Sequence, residues 1–253
     1  IFPTYVNAKY YIFMMPFFHE RNFQGIGGRL RGTTPIDEDR VQYESAAEEW
    51  HSDWAMRYSH TFGDLDIGLS QFIGTNRKPT LLNGTDSSGN AIKIPRYEQI
   101  KHTSVDAFYV VGEWLWKLES LYRTGQGNDD YFAWTGGFEY TFTGVLDSAM
   151  DFGVVGEWMF DTREERATTA FENDIATGLR LAVNNAASIE ALLGWIQDLD
   201  TSARFLFLEA SRRFGDNWLL NAEIRAFLNQ HMEDLLFGLR DDKIMQLELA
   251  YYF

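Results

Sequence analysis

The feature that most constrains this chain is an alternation of apolar and polar side chains with a period of two, repeated in twelve long segments. In residues 217–229, for example, Leu220 and Ile224 belong to one set of positions and Glu223 and Arg225 to the other. This period places successive side chains on opposite faces of a β-strand. The pattern therefore predicts an all-β chain of about 12 antiparallel strands. The segments lie near residues 5–16, 51–62, 65–76, 97–111, 114–125, 131–143, 151–162, 173–184, 188–199, 203–213, 217–229 and 243–253.

The lengths of the segments and of their connections favour a membrane protein. Most segments have at least the roughly 9 to 11 residues that a tilted strand needs to cross a bilayer, whereas strands of soluble proteins average about 5 to 6. The connections alternate between short ones, such as 112–113, and long ones, such as 19–50 and 77–96. Membrane barrels separate short turns and long loops to opposite rims in this way. We therefore predict a transmembrane up-and-down β-barrel that forms a single domain over residues 1–253.

Composition excludes several other classes of protein. The longest apolar run, residues 10–18, has nine residues including Pro16, far below the run of about 20 that a membrane helix requires. The chain has no cysteine, which excludes disulfides, thiolate catalysis and cysteine zinc sites. A net charge of -15 argues against a nucleic-acid partner. Because the sequence starts at Ile1 without a Met or a basic leader, either a signal peptide has been removed or an N-terminal part of a longer chain is missing. We expect the second, because the sequence starts almost inside a strand.

The C-terminal segment carries a family signature. Leu247, Leu249, Tyr251 and Phe253 alternate with polar or small residues up to the last position. This hydrophobic-x-hydrophobic-x-Tyr-x-Phe ending resembles that of the outer-membrane β-barrel proteins of Gram-negative bacteria. The resemblance implies recognition by the barrel assembly machinery and a multi-pass place in the outer membrane, among its lipids and lipopolysaccharide. It also implies extracellular long loops and a periplasmic C-terminus.

Aromatic residues are concentrated near the predicted strand ends. Trp54 and Trp134 lie near long loops, and Trp114 and Trp218 lie beside short turns. Aromatic side chains sit comfortably at both headgroup levels of a membrane barrel. The alternative is that aromatic residues simply favour strands, as they would in a soluble sandwich or barrel whose apolar side chains point inward.

If the apolar positions face lipid, the alternate positions line the lumen of the barrel. Opposed acidic and basic rows would order water there and favour polar solutes, with a weak preference for cations or neutral molecules. The alternative is that these charges pair and fill a closed lumen, because barrels of about eight strands are filled and open channels typically have about 16 to 18. The predicted lumen-lining residues are Asp53, Arg57, Asp66, Asp106, Lys117, Glu119, Arg123, Glu139, Glu157, Arg180, Glu209, Arg213, Glu223, Arg225 and Glu248.

The leading functional hypothesis is a porin-like outer-membrane channel for small polar solutes or ions, without a cofactor. A second hypothesis is a barrel component of an export or envelope assembly that is gated by the missing N-terminal region. Whether the barrel forms a homo-oligomer or binds an envelope partner is left open. We expect the loops within 19–50 and 83–90 to be flexible.

An outer-membrane hydrolase is the third hypothesis. His102 and Ser104 share the polar positions of one strand, a spacing reminiscent of outer-membrane phospholipases. No Asn follows in the neighbouring strand to orient the imidazole, so a triad of nucleophile, base and orienting group is incomplete. The five histidines also lack the spacing of metal ligands. We therefore predict that the protein is not an enzyme and has no catalytic residues and no metal site.

Overall fold

A computed structural model describes residues 8–25, 27, 34–127, 130–232, 234–240 and 242–253. The described part of the chain is all-β, with 62% of its residues in strands. Its fifteen strands are β1 (Ala8–Met15), β2 (Gln42–Tyr43), β3 (Asp53–Phe62), β4 (Leu65–Thr75), β5 (Thr80–Thr85), β6 (Ala91–Tyr97), β7 (Gln99–Val111), β8 (Trp114–Thr124), β9 (Tyr131–Phe142), β10 (Met150–Asp161), β11 (Asn173–Val183), β12 (Ile189–Asp198), β13 (Arg204–Phe214), β14 (Trp218–Leu228) and β15 (Lys243–Tyr251).

Short 3-10 turns are the helical elements of the described residues. They are Glu38–Arg40, Glu48–Trp50, Val145–Asp147, Glu164–Arg166 and Phe237–Leu239. None of the helices in the described ranges is long and apolar enough to cross a membrane.

Twelve strands form one antiparallel sheet in the order β1-β3-β4-β7-β8-β9-β10-β11-β12-β13-β14-β15. Each of the twelve predicted segments corresponds to one of these strands, and the predicted all-β antiparallel architecture is confirmed. Residues 5–7 of the first predicted segment lie outside the described residues. The sheet is not closed into a barrel, and β1 and β15 are its edge strands. Alternation within a strand specifies the two faces of that strand but gives no information on whether the first and last strands pair. The sequence pattern alone therefore did not decide whether the sheet closes into a barrel.

The described residues fall into two compact units. Unit 1 comprises residues up to His60 together with Gly68–Val105 and Leu121–Tyr131, and unit 2 comprises Thr61–Ile67, Asp106–Ser120 and Phe132–Phe253. Most of the buried apolar residues of unit 1 lie in a small second sheet and the segments around it. This small sheet, which we call the loop sheet, has the order β2-β6-β5, with β2 parallel to β6.

The small sheet replaces the flexible loops that we expected from the sequence. Residues 83–90 form the end of the β5–β6 hairpin, where Asp86 Oδ1 accepts hydrogen bonds of 2.8 Å from the backbone N–H groups of Ser88 and Asn90. The side chain of Asn90 also donates to Asp86. The sequence did not predict this sheet because a two-residue strand such as β2 is too short to show periodicity, and its parallel pairing joins segments that are distant in sequence. Residues 26 and 28–33, in and after the Gly-rich run of the first long loop, lie outside the described residues.

The register of the large sheet places the acidic side chains of its strands on a single side. All aspartates and glutamates of the twelve strands lie on one side, which we call the charged face, and we call the opposite side the apolar face. Side-chain hydrogen bonds place β4, β7 and β8 in the same frame, as between Arg57 and Ser70 and between Arg123 and His102. The carboxylates of the charged face are Asp53, Asp66, Asp106, Glu119, Glu139, Asp151, Glu157, Asp161, Asp174, Glu190, Asp198, Glu209, Glu223 and Glu248.

The apolar face consists of large side chains that are exposed. On β15, for example, Leu247 is 61% and Leu249 is 59% exposed. Aromatic rings on this face contact one another across strands, as Trp114 does with Tyr140 at a centroid distance of 4.7 Å and Trp218 does with Tyr251 at 4.8 Å. A contiguous apolar surface of this extent marks a membrane or protein interaction surface in a folded protein.

Candidate functional site on the charged face

Ion pairs on the charged face of unit 2 join strands that are separated by one intervening strand. Arg180 on β11 pairs with Glu139 on β9, reaching across Gly153 of β10. A Cβ at Gly153 would lie 3.3 to 3.5 Å from both partners, so the missing side chain leaves room for the pair. Lys117 Nζ on β8 lies 3.3 Å from Glu157 Oε1 on β10. These cations neutralise part of the negative charge of β8 to β11.

On the charged face, the strands β12 to β15 carry more acidic than basic side chains. Glu209 lies directly opposite Glu223, an arrangement that is repulsive unless a cation is near. Arg225 on the same strand pairs with Glu223 and supplies that cation. Glu190 and Glu248 face the uncharged partners Ser211 and Asn221.

A cavity of about 580 Å³ lies over this acidic group. Its lining includes Arg180, Glu190, Glu209, Glu223 and Glu248. Because four carboxylates and one guanidinium surround the cavity, its electrostatic potential is negative and concentrates cations. The arrangement can therefore hold or pass a hydrated cation or a small polar molecule.

An aromatic layer lies on the same face toward the long loops. Phe205 contacts Phe207 at 5.6 Å and Phe227 at 4.9 Å between ring centroids. The Phe207 ring lies flat over Gly194, where a Cβ would overlap it. Glycine is required at this position for the ring to approach the backbone. The aromatic side chains occupy the space above the charged face at this level of the sheet.

Three carboxylates meet beyond the aromatic layer, at the long-loop ends of β11 to β14. Oxygens of Glu172, Asp198 and Asp234 lie within 4.8 Å of one another. Burial, together with the charge of Asp174, raises the pKa of Glu172 to about 7. Carboxylate oxygens are ligands for hard cations, so this group of residues could hold one. Asp198 is already engaged, because its side chain accepts from Asp200 N, Thr201 N and Thr201 Oγ1.

The charged face of unit 1 contains a buried network around Asp53. This residue is fully buried at 0% exposure. Its Oδ1 lies 2.7 Å from His51 Nδ1 and accepts from Thr75 N at 2.9 Å, whereas its Oδ2 lies 2.6 Å from Arg77 Nη2 in an ion pair without the angle of a directed hydrogen bond. Arg77 also lies over the Phe18 ring at 4.9 Å, which links the network to the loop sheet. Asp53, the first residue of β3, therefore connects this strand to Thr75 and Arg77.

The other predicted residues of this face in unit 1 make polar contacts. Arg57 donates to Ser70 Oγ at 2.9 Å. Arg123 donates to His102 Nδ1 from Nε at 3.1 Å. A nitrogen that accepts a hydrogen bond carries no proton, so neutral His102 has its proton on Nε2 and cannot act as a base through that nitrogen. The arrangement does not favour a hydrolytic role for the His102–Ser104 pair.

The remaining predicted residues are placed as follows. In unit 2, Asp66 accepts a hydrogen bond from Thr61, and Asp106 and Glu119 also lie on the charged face. Arg213 lies on that face near the short β13–β14 turn. The residues of the C-terminal signature differ from all of these, because Leu247, Leu249 and Tyr251 are on the apolar face and Phe253 follows the end of β15.

Sequence reasoning missed the carboxylate group of Glu172, Asp198 and Asp234 and the network partner Arg77. The three carboxylates come from three separate segments, so no local spacing could have revealed them. His51 and Asp53 are two apart, and the sequence alone explains this pair as polarity at the end of a strand, whereas the structure buries Asp53 completely. Comparison with protein-family models, with curated proteins and with solved structures found no match to this chain.

Proposed function

We propose that this chain is an outer-membrane β-barrel that forms a narrow channel for small polar solutes or cations. The observation that carries the proposal is the separation of charge in the large sheet, in which every strand carboxylate lies on one face. A carboxylate facing hydrocarbon is strongly unfavourable, whereas one facing an aqueous lumen is solvated. In a chain with 37 acidic residues, such a separation fits a sheet with lipid on one side and water on the other.

The positions of cations on the apolar face support the same orientation. They occur near strand ends, at Lys101, Arg204, Arg212 and Lys243. Arg204 and Arg212 are eight residues apart on β13, which is about 26 Å along the strand at ~3.3 Å per residue and roughly 20 Å across the bilayer at the usual tilt of barrel strands, before the length of the two side chains is added. The residues between them on this face are Leu206, Leu208 and Ala210. This spacing suits a hydrocarbon layer about 25 Å thick, with both guanidinium groups extended to the headgroups.

A membrane environment requires that both sheet edges be paired. Unpaired backbone N–H and C=O groups in hydrocarbon each cost several kcal/mol, so only closed sheets span bilayers. We propose that the membrane form closes into a barrel, with the long loops extracellular and the short turns and C-terminus periplasmic. The charged face then lines the lumen.

Planar-bilayer recordings of the purified, folded protein test this proposal. We expect discrete current steps and a greater permeability for potassium than for chloride, because the lumen carboxylates outnumber the lumen cations. The double variant E209Q/E223Q should lower that permeability ratio severalfold. E113Q, in the short β7–β8 turn, is the matched control and should leave the ratio within twofold. A protein that is soluble without detergent, or a fully folded barrel in the bilayer that passes no current, contradicts the proposed channel.

A further inference from the structure

The apolar face of unit 2 contains a hollow that the channel hypothesis does not use. It has a volume of about 720 Å³ and is lined by Phe138, Trp158, Leu179, Leu193, Trp195 and Leu206. Its floor includes Gly136 and Gly156, whose missing side chains allow the Trp134 and Phe138 rings to lie close to the backbone. The volume is within the range of roughly 300–1,000 Å³ that is typical of small-molecule sites. The lining is apolar enough to exclude an ion or a sugar.

A cation lies at the long-loop end of this hollow. The Arg204 guanidinium carbon is 5.5 Å from the centroid of the Trp195 ring, and Leu206, two residues further along the same face, lines the hollow. Arg204 Nε donates to Gln197 Oε1 at 2.8 Å. This bond and the ring fix the side chain in place, and within the described ranges its two terminal nitrogens have no hydrogen-bond partner.

No carboxylate of the described residues forms an ion pair with Arg204, in contrast to Arg163, Arg180 and Arg225 of the same unit. The neighbouring acidic group, Asp200, accepts a 2.8 Å hydrogen bond from Asn173 Nδ2. Asn173 Oδ1 in turn accepts from Trp158 Nε1 at 3.2 Å, at the border of the hollow. In a strongly acidic chain, an immobilised arginine without a carboxylate partner is complementary to an external anion.

We propose that this hollow and Arg204 form a binding site for a phosphorylated, acylated lipid of the membrane leaflet on the long-loop side. An acyl chain occupies the hollow between Trp158 and Trp195, and Arg204 donates hydrogen bonds to the phosphate of the same molecule. The guanidinium supplies paired donors that match phosphate oxygens. The two parts of the site act together, because the strand spacing places the cation at the headgroup level and the hollow in the acyl region. This inference rests on the membrane orientation proposed above.

The test measures lipid retained by the detergent-purified protein, with diphosphoryl lipid A as the probe. Native mass spectrometry during titration should show a bound lipid, with an apparent affinity at least tenfold weaker in R204Q and in T177W, whose ring would fill the hollow. The matched control R212Q changes an arginine on the same strand and face at the opposite end, and should retain the affinity within twofold. R204K should recover part of the loss, because it restores charge without the paired donors.

Two further probes identify the source of the interaction. Inorganic phosphate should not compete at millimolar concentration, and diacylglycerol, which has acyl chains but no phosphate, should bind equally to the unaltered protein and to R204Q. Equal retention of lipid A in all variants overturns the inference, as does full displacement by inorganic phosphate. If bilayer currents are normal in these experiments but lipid A is not retained, only the lipid site fails. If the protein is soluble without detergent, both the lipid site and the proposed membrane orientation fail.

Discussion

The loop sheet of unit 1 and the apolar face of unit 2 use aromatic residues in opposite ways. In the loop sheet, Tyr97 is only 1% exposed, and its ring stacks on Tyr43 at 5.8 Å and packs on Phe18 at 5.0 Å. On the apolar face, Trp114 and Trp116 stack at 5.5 Å and both remain exposed. The first arrangement is a hydrophobic core stabilised by water exclusion, and the second has no covering layer. In the proposed membrane form, the first region would lie in water and the second would face hydrocarbon.

The largest expected effect is in the core of the loop sheet. Tyr97→Ala should destabilise unit 1 by about 3–5 kcal/mol, because it removes a buried ring and leaves a cavity. It also removes the hydroxyl that accepts a 2.7 Å hydrogen bond from Arg21 N. Denaturant unfolding in detergent, followed by proteolysis of the long loops, measures the change. Trp116→Ala on the apolar face is the comparison, and an equal loss of loop protection in both variants would contradict two separate environments.

Adjacent leucines on β12 sharpen the comparison between faces. Leu193→Arg should cost about 2–4 kcal/mol in a bilayer, because position 193 is on the apolar face near the middle of the strand. Leu192→Arg should cost much less, because position 192 is on the charged face opposite Glu209. Reversible urea unfolding from phospholipid vesicles gives both values. A reversed order would contradict the proposed orientation, because it would make the charged face the side of the sheet that excludes water.

The buried carboxylate of unit 1 should have a smaller effect. Asp53→Asn removes the negative charge beside Arg77 and His51 while keeping the shape of the side chain. We expect a loss of about 1–3 kcal/mol, since the buried donors lose their charged acceptor. Asp37→Asn, in the exposed Arg40–Asp37 pair, should change stability by at most about 1 kcal/mol. Thermal unfolding of the two variants should therefore separate them, and equal unfolding temperatures would refute the role of the network.

The smallest effect concerns the carboxylates at the long-loop ends in unit 2. Because the pKa of Glu172 is raised from 4.5 to about 7, the folded protein keeps a proton that the unfolded chain releases between these two pH values. The stability contributed by protonated Glu172 is present below about pH 4.5, falls as pH rises to about 7 and is level above it. Glu172→Gln should flatten the fall in melting temperature between pH 5 and 8, whereas Glu190→Gln should not. An unchanged slope in Glu172→Gln would show that other groups cause the pH dependence.

The sequence predicted the large sheet closely because each of its strands carries its own signal. Along β14, for example, Glu223 and Arg225 alternate with Ala222 and Ile224, and this alternation is readable without any other strand. Strand lengths and turn positions are similarly local. The charged-face positions of the candidate site follow from the same period.

The loop sheet and the acidic group could not be predicted by that reasoning. Tyr43 and Tyr97 come together only through a parallel pair between segments more than fifty residues apart. Glu172 and Asp234 approach each other because two long connections fold toward the same end of the strands. Such contacts depend on tertiary packing, for which a single sequence offers no periodic pattern.

The separation of carboxylates onto one face also constrains how the protein could enter a membrane. A lone strand such as β10 carries Asp151, Glu157 and Asp161, so hydrocarbon would surround those charges on its own passage. Only neighbouring strands, moving together around a shared water-filled space, keep them hydrated throughout. Insertion is therefore expected to be a collective event with a high kinetic barrier, and a catalyst that thins or opens the bilayer would accelerate it.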